Sequence, residues 1–470
     1  MSVAESTHTI EDVVARGMCV GCGACSVATS GRVVVRFTSI GMRQADLEGV
    51  SPADIARGDQ VCPFSDNAPD EDQLDAPTDW GRRLSHDHRI GRYSLVAAGR
   101  RVDESALLES SSGGLTSWIV GRLLKEGLVD GILHVGDGGP DGLFSYNVSH
   151  SLAEADGRRK SKYYAVTLAE LVQEIQGNGK RYAIVGIPCF IKAARLLALQ
   201  NPALAEQFAY YVGLVCGHLK TRFFAESLAW QIGVPPEQLA SVDFRVKNPE
   251  RPASRYDMAV SSADDPTTVL QHEVAKLLGG SWGHAVFQPE GCNFCDDIFA
   301  ETADVVFGDA WLPQYSKDWR GNNVLVSRNE QIDELLRAGQ REGEIQLDEI
   351  DVAAAVASQA GNYRHRRDGL AVRLHDDIRA GLSVPRKRVS PGLAHVTRRR
   401  VKLIRQRRRI SALSFGAFRA ALASGRIETY LERLRPELSK HDRLSKKPFA
   451  GMRRRLQNLV RRLRRGQGAR

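Results

Sequence analysis

Three stretches of the chain carry apolar runs of strand length. Tyr182-Ala-Ile-Val-Gly186 leads into Ile187-Pro188, Phe208-Ala-Tyr-Tyr-Val-Gly-Leu-Val215 ends at Cys216, and Ala303-Asp-Val-Val-Phe307 ends at Gly308. Short continuous apolar runs bounded by turn residues read as strands buried on both faces. The first is followed by Phe190-Ile-Lys-Ala-Ala-Arg-Leu-Leu197, and Leu115 to Leu124 has similar helical character behind Ser111-Ser112-Gly113-Gly114. Strands alternating with helices predict an α/β fold, mixed α+β in its details. Four regions are expected: a small cysteine-rich module over 1–75, an N-terminal part of the core over 80–175, a second part over 176–350, and a helical, basic extension over 351–470. The acidic, Pro-containing stretch Asp66–Asp79 reads as the linker behind the first.

Composition adds mainly exclusions. Hydrophobic residues make up 42% and charged residues 26% of 470 positions, which rules out a collagen-like, low-complexity or wholly disordered chain. No apolar run approaches the ~18 residues of a membrane span. The N-terminal residues lack a secretory layout, so a cytoplasmic, thiol-reducing setting is expected. The net charge of +9 hides an asymmetry: Arg386 to Arg470 holds 27 Lys and Arg against 4 Asp and Glu. Within it, Met452, Leu456, Leu459, Val460 and Leu463 recur at helical intervals among arginines. Such a basic amphipathic helix suits an acidic protein surface or an anionic membrane, which would make the protein peripheral. A solvated tail is the bland alternative, and nucleic acid ranks last among the partners.

The eight cysteines carry the chemistry. Cys19-Val-Gly-Cys22-Gly-Ala-Cys25 places three thiols on one Gly-containing loop, and Cys62 is followed by Pro63. That spacing, with a remote Cys-Pro as fourth ligand, fits a [4Fe–4S] cluster. Thr29 stands where a second cluster's cysteine would fall in two-cluster ferredoxins. Structural zinc is the competing reading, although zinc sites normally present paired C-x2-C arms. Cys189 and Cys216 end predicted strands, where open α/β sheets gather ligands, yet each alone is more often an inert buried thiol. Cys292-Asn-Phe-Cys295 alone fits zinc, a redox dithiol or iron–sulfur equally. The turn at Ser111–Gly114 offers a helix N-terminus for a phosphate, but the pattern by itself favours a plain helix cap. Asp309 is either a turn cap or an orienting carboxylate, and His134 and His284 receive no catalytic role.

Gly186-Ile-Pro-Cys189, Leu214-Val-Cys216-Gly217, Val242-Asp-Phe-Arg245, Cys292-Asn-Phe-Cys295-Asp-Asp297 and Phe307-Gly308-Asp309-Ala310-Trp311 follow in that order. Together they resemble the beta-subunit family of coenzyme F420 hydrogenases and dehydrogenases, which includes enzymes like 7-hydroxymethyl chlorophyll a reductase. The N-terminal cysteine loop resembles the family's ferredoxin-like extension. Phe190 departs from the pattern, since the family usually carries Gln after the Pro-Cys. The resemblance implies FAD and two [4Fe–4S] clusters, held by Cys19, Cys22, Cys25 and Cys62 and by Cys189, Cys216, Cys292 and Cys295. It implies flavin contacts from Ser111, Ser112, Gly113, Gly114, Lys162 and Tyr163. The implied activity is that of an iron–sulfur flavoprotein oxidoreductase relaying electrons between a one-electron donor such as ferredoxin and a two-electron organic substrate, F420-like or otherwise unsaturated. A non-catalytic electron-transfer subunit of a larger redox complex is the alternative. A zinc-stapled nucleic-acid-binding protein is the third reading.

Overall fold

A computed structural model describes residues 7–74, 84–139 and 142–446. Its centre is an eight-stranded mixed sheet. In chain order its strands are β1 (Leu95–Arg101), β2 (Gly131–Asp137), β3 (Phe144–Ser149), β4 (Tyr182–Gly186), β5 (Phe208–Leu214), β6 (Val305–Asp309), β7 (Asn323–Ser327) and β8 (Ile345–Glu349). Across the sheet they lie in the order β8-β1-β7-β6-β5-β4-β2-β3. The middle four, β6, β5, β4 and β2, are parallel, and the flanking strands pair antiparallel. All three runs predicted as strands form, and all of them lie in this parallel centre. Every residue of β4 is buried, as a strand covered on both faces requires.

One face is covered by helices Leu115–Lys125 and Glu330–Arg341, whose Trp118, Ile119, Leu123, Leu335 and Leu336 pack together. Gly339 is glycine because the Trp118 ring occupies the space a Cβ would need. Helix α1 (Pro188–Gln200) covers the other face with Phe190, Ile191, Ala193 and Ala194. It begins directly after β4 with Pro at its first turn, a position that needs no N–H donor. Because β4 and β5 are adjacent and parallel (Val185 opposite Val212, Gly186 opposite Gly213), whatever follows their last residues emerges at the same sheet edge. Cys189 and Cys216 are those residues.

The basic extension is helical as expected, but its described part does not stand apart from the body. Helix α2 (Arg398–Ser424) and helix α3 (Ile427–Ser445) form a hairpin turned at Gly425, whose φ is +65°. Phe418 and Tyr430, both fully buried, close against Phe287 with ring centroids 5.5 and 5.6 Å from it. Burying two such rings contributes about 4–6 kcal/mol. Several of the extension's arginines bind carboxylates. Arg388 holds Glu301 at 2.5 Å and Asp296 at 3.3 Å, and Arg405 and Arg409 hold Asp376 and Glu437. Periodicity does not reveal this, since an arginine's partner is set by the tertiary fold. The amphipathic segment from Met452 to Arg465, and parts of the 66–79 linker and of the Gly136–Gly142 turn, lie outside the described residues. Among the described residues no helix is long and apolar enough to cross a membrane.

Candidate functional site

The first cysteine loop runs between helices Ile10–Ala15 and Ala24–Ala28. Gly21 and Gly23 have φ of +68° and +90°, which let the chain turn its thiols to one side. A Cβ on Gly23 would collide with Thr167 Oγ1, so the loop seats directly on the core. Cys62 arrives just past helix Pro52–Gln60. Cys19, Cys22, Cys25 and Cys62 line one recess of about 370 Å³ with Ile10, Val13, Val20, Val35 and Phe64. The Ala45 N–H donates to Cys19 Sγ at 3.4 Å. Burial in these apolar walls pushes the Cys22 thiol up to about 12 and raises Cys19, Cys25 and Cys62 as well. Thr29 caps the loop's helix, its hydroxyl donating to Cys25 O at 2.7 Å.

At the edge of the sheet, Cys189, Cys216, Cys292 and Cys295 form a second group. Cys189 lies within electrostatic reach of the other three, and all four thiols are raised by burial, Cys216 to about 11 and Cys292 to about 12. The Leu219 N–H donates to Cys292 Sγ at 3.2 Å. Arg366, only 2% exposed, reaches in from a π-helical turn at Arg364–Asp368. Its guanidinium donates to Cys216 O at 2.7 Å, to Gly217 O at 3.2 Å, to Cys295 O at 3.2 Å, and directly to Cys295 Sγ. A buried cation against thiol sulfurs favours their thiolate forms.

The two groups adjoin. A Cβ on Gly291, one residue before Cys292, would overlap Met18 O, one residue before Cys19. Cys189 is within electrostatic reach of Cys22. The Tyr146 hydroxyl, which donates to Val185 O at 3.1 Å, faces both of these cysteines. Phe190 stacks on Tyr146 with centroids 5.9 Å apart, so an aromatic contact fills the position where Gln is usual. Neither quartet is drawn in around a single ion. Zinc–sulfur bonds of about 2.3 Å bring four sulfurs to about 3.8 Å of one another. Among the described residues, the group of three or more Cys, His, Asp or Glu donor atoms that falls within 4.8 Å is instead His284, His441 and Asp442.

The expected flavin residues divide. Gly113 packs against backbone, its Cβ position 2.7 Å from Gly99 O and from Asn323 N. Gly114 adopts φ +77° as the helix N-cap, and the Leu115 N–H is taken by Asn323 Oδ1 at 3.1 Å. Ser112 donates to Asn322 O, and Ser111 Oγ accepts from the Ser161 N–H at 2.8 Å. Packing therefore accounts for both glycines, and the helix terminus is partly closed. Ser111 nevertheless lines a recess of about 270 Å³ with Arg245, Lys247, Tyr256 and Trp319. Lys247 donates to the Leu107 and Ser112 carbonyls, and burial pulls its ammonium down to about 7. Arg245 is held by Asp309 at 2.8 Å and lies 4.8 Å from the Tyr256 ring, which gives Asp309 an orienting role. Lys162 and Tyr163 point apart. Lys162 turns to Asp137 at 3.7 Å, while Tyr163 meets the Trp282 ring at 4.9 Å. His134 is a satisfied core residue, bonded to Ser149 Oγ at 2.8 Å. Arg366, Lys247 and Tyr146 were not foreseen, since each reaches its place from a segment without cysteines.

Fold and site together define a mixed α/β protein with one thiol quartet at the carboxyl edge of its parallel strands and a second, on the N-terminal module, adjoining it. Two family descriptions match the chain in succession, both of them for "Coenzyme F420 hydrogenase/dehydrogenase, beta subunit". The description of the N-terminal part matches residues 96–173, and that of the C-terminal part matches 179–353. The chain belongs to the coenzyme F420 hydrogenase/dehydrogenase beta-subunit family, whose members have redox electron-transfer roles. It is 23% identical over 260 residues to a coenzyme F420-dependent sulfite reductase of Methanocaldococcus jannaschii, a match spanning 52% of this chain and 37% of that protein. It is 20% identical over 254 residues to the coenzyme F420 hydrogenase subunit beta of Methanothermobacter thermautotrophicus, spanning 53% of this chain and 82% of that subunit. A chain from the xenon-derivatised F420-reducing [NiFe] hydrogenase complex of Methanosarcina barkeri aligns with a TM-score of 0.48 at 16% identity, over 64% of this chain and 98% of that one. The first quartet and everything beyond residue 353 lie outside the family matches.

Proposed function

We propose that this protein is an iron–sulfur flavoprotein oxidoreductase carrying FAD and two [4Fe–4S] clusters, which relays electrons between a one-electron partner such as ferredoxin and a two-electron organic substrate. One observation carries the reading: eight thiols, six of them buried and Cys19 and Cys189 half-buried, converge as two adjoining quartets. Cys19, Cys22, Cys25 and Cys62 would hold the outer cluster, and Cys189, Cys216, Cys292 and Cys295 the inner one. The flavin's diphosphate is assigned to the recess lined by Ser111, Arg245 and Lys247, where Lys247 donates to the Leu107 and Ser112 carbonyls. When bound, these groups exchange single electrons at the clusters and an electron pair at the flavin.

The chain's own residues then have distinct tasks. Arg366 offsets charge at the inner quartet, and Tyr146 and Phe190 keep water from the gap between the quartets. Asp309 fixes Arg245 at the wall of the recess. A second reading, an electron-transfer subunit without a substrate of its own, is favoured by relatives named as hydrogenase beta subunits. Anaerobic reductive titration tests the proposal. About four electrons per chain should be taken up, two bleaching flavin absorption and one for each cluster. A colourless protein that takes up none overturns it. Turnover of a small molecule only after a partner protein is added would select the subunit reading.

A further inference from the structure

The turn Trp282–His284 and the last turn of helix α3 meet at three side chains of metal-ligand type. His284 Nε2 and His441 Nδ1 each lie 3.1 Å from one oxygen, Asp442 Oδ1. The two imidazole rings stand nearly perpendicular, at 88°, with centroids 5.1 Å apart. One donor atom from each residue lies within 4.8 Å of the other two. His284 and Asp442 are 158 positions apart in the chain, so only the tertiary fold brings them together. The set shares no residue with either cysteine quartet or with the recess at Lys247.

Both imidazoles are held in place. Ala285 and Phe287, just behind His284, have φ of +57° and +52°, a region that non-glycine residues seldom occupy. Neighbours fix that backbone: the Phe287 N–H donates to Ser414 Oγ at 2.9 Å, and Lys220 donates to Val286 O at 2.5 Å. His441 is buried on the packed face of α3, in line with Leu434 and Leu438. The Asp442 side chain is 54% exposed, which leaves it free to adjust. Arg399 donates to the Arg443 and Leu444 carbonyls at the same helix end, so among the described residues Asp442 is left to the two histidines. An acid in the last turn of a helix sits at the negative end of the backbone dipole, and a cation there offsets both. Tetrahedral zinc, with bonds of about 2.0–2.1 Å, sets neighbouring ligand atoms about 3.3 Å apart. The two spacings of 3.1 Å already have that scale. Magnesium and calcium take oxygen ligands, whereas two imidazoles and one carboxylate suit zinc and its transition-metal neighbours.

We propose that His284, His441 and Asp442 bind one divalent transition-metal ion of the zinc class, with water as the fourth ligand, and that this ion clasps the C-terminal hairpin to the core. His284 lies within the family match and helix α3 beyond it, so the ion joins a shared core to this chain's own extension. It also fixes the turn that carries Trp282, whose ring meets those of Tyr163 at 4.9 Å and His218 at 4.6 Å. The role is structural and takes no part in electron transfer. Binding here does not depend on the function proposed above.

Zinc chloride is the probe. Anaerobically purified full-length protein, with its cysteine-bound groups in place, is titrated with it while zinc, iron and flavin are quantified per chain. The wild type should take up one equivalent of zinc saturably, with iron and flavin unchanged. H441Q and D442N should each bind that equivalent at least about tenfold more weakly. E432Q, at an exposed position of the same helix, should bind as the wild type does. H284Q, at a ring only partly buried, serves if H441Q does not fold. Saturating zinc should raise the Tm of the wild type and leave that of D442N where it was. Absence of saturable uptake by the wild type, or equal affinity in the wild type and D442N, overturns the proposal. Zinc taken up only as iron is lost, and no longer taken up by Cys25→Ser, also overturns it by giving the ion to the cysteines. A protein that binds zinc here yet takes up no electrons would refute the redox reading and leave this site standing.

Discussion

Replacing Arg366 by Gln removes the cation that, among the described residues, hydrogen-bonds a sulfur of the inner quartet. The guanidinium touches Cys295 Sγ and lies 2.7 Å from Cys216 O, which places its charge about 5 Å from an electron added to a cluster there. At an effective dielectric of about 20, a unit charge at that distance is worth about 3 kcal/mol. For one electron this corresponds to about 130 mV, at 59 mV for each tenfold change. Solvent and the remaining donors, such as the Leu219 N–H, reduce it, so a fall of about 60–130 mV in the potential of one cluster is expected. EPR-monitored redox titration of the purified variant reads the shift. The outer cluster, which Arg366 does not contact, should stay within about 20 mV of its value, and R366K should recover part of the loss. A potential unchanged in R366Q, or an equal fall at both clusters, would refute the electrostatic reasoning.

Three further outcomes follow from the packing. Arg388→Ala strips Glu301 and Asp296 of a shared partner and should cost about 3 kcal/mol in denaturant unfolding, because Glu301 keeps only Arg367 at 3.5 Å and Asp296 only the nearby Lys387 and Arg367 charges. Gly291→Ala drives a methyl into Met18 O between the two cysteine loops. It should lower stability by about 1–3 kcal/mol and reduce iron content, whereas the same change at Gly283, where the nearest atom to an added Cβ is 3.5 Å away, should do neither. Burial pushes the Glu226 carboxyl up to about 7 despite Arg222 at 3.3 Å, so the folded state holds this proton more tightly than the unfolded chain does. Its contribution is fully present below the unfolded value near 4.5 and is lost as pH rises toward 7. Stability curves of Glu226→Gln should lack about 3 kcal/mol of that decline, and a curve parallel to the wild type would contradict the shift.

The parts of this molecule legible in its sequence are those written in local pattern. Tyr182–Gly186 and Phe208–Leu214 are strands because continuous apolar runs have no other place than a covered sheet, and the cysteines that follow them inherit a position at the sheet edge. The first quartet is legible because three of its members share one loop. What pattern does not carry is convergence between distant segments. Arg366 and Lys247 look like ordinary surface cations in sequence; Arg366 becomes buried and Lys247 half-buried only when the turn at Arg364–Asp368 and the strand Leu239–Val246 close on the core. The two glycines at 113–114 read by pattern as a helix cap and by resemblance as a flavin contact; the closeness of Gly99 O and Asn323 N to Gly113, and the left-handed cap at Gly114, account for both residues by packing. The basic extension misleads for the same reason, since Arg388 neutralises Glu301 from 87 positions away and Arg408 neutralises Glu290 from 118.

Iron and acid-labile sulfide, quantified per chain in anaerobically purified wild type and in Cys25→Ser, bear most directly on the two-quartet assignment. About eight iron atoms should be present in the wild type and about four in the variant, with flavin retained in both. Stoichiometric zinc in place of iron, or loss of all iron and all flavin on changing Cys25 alone, would contradict it.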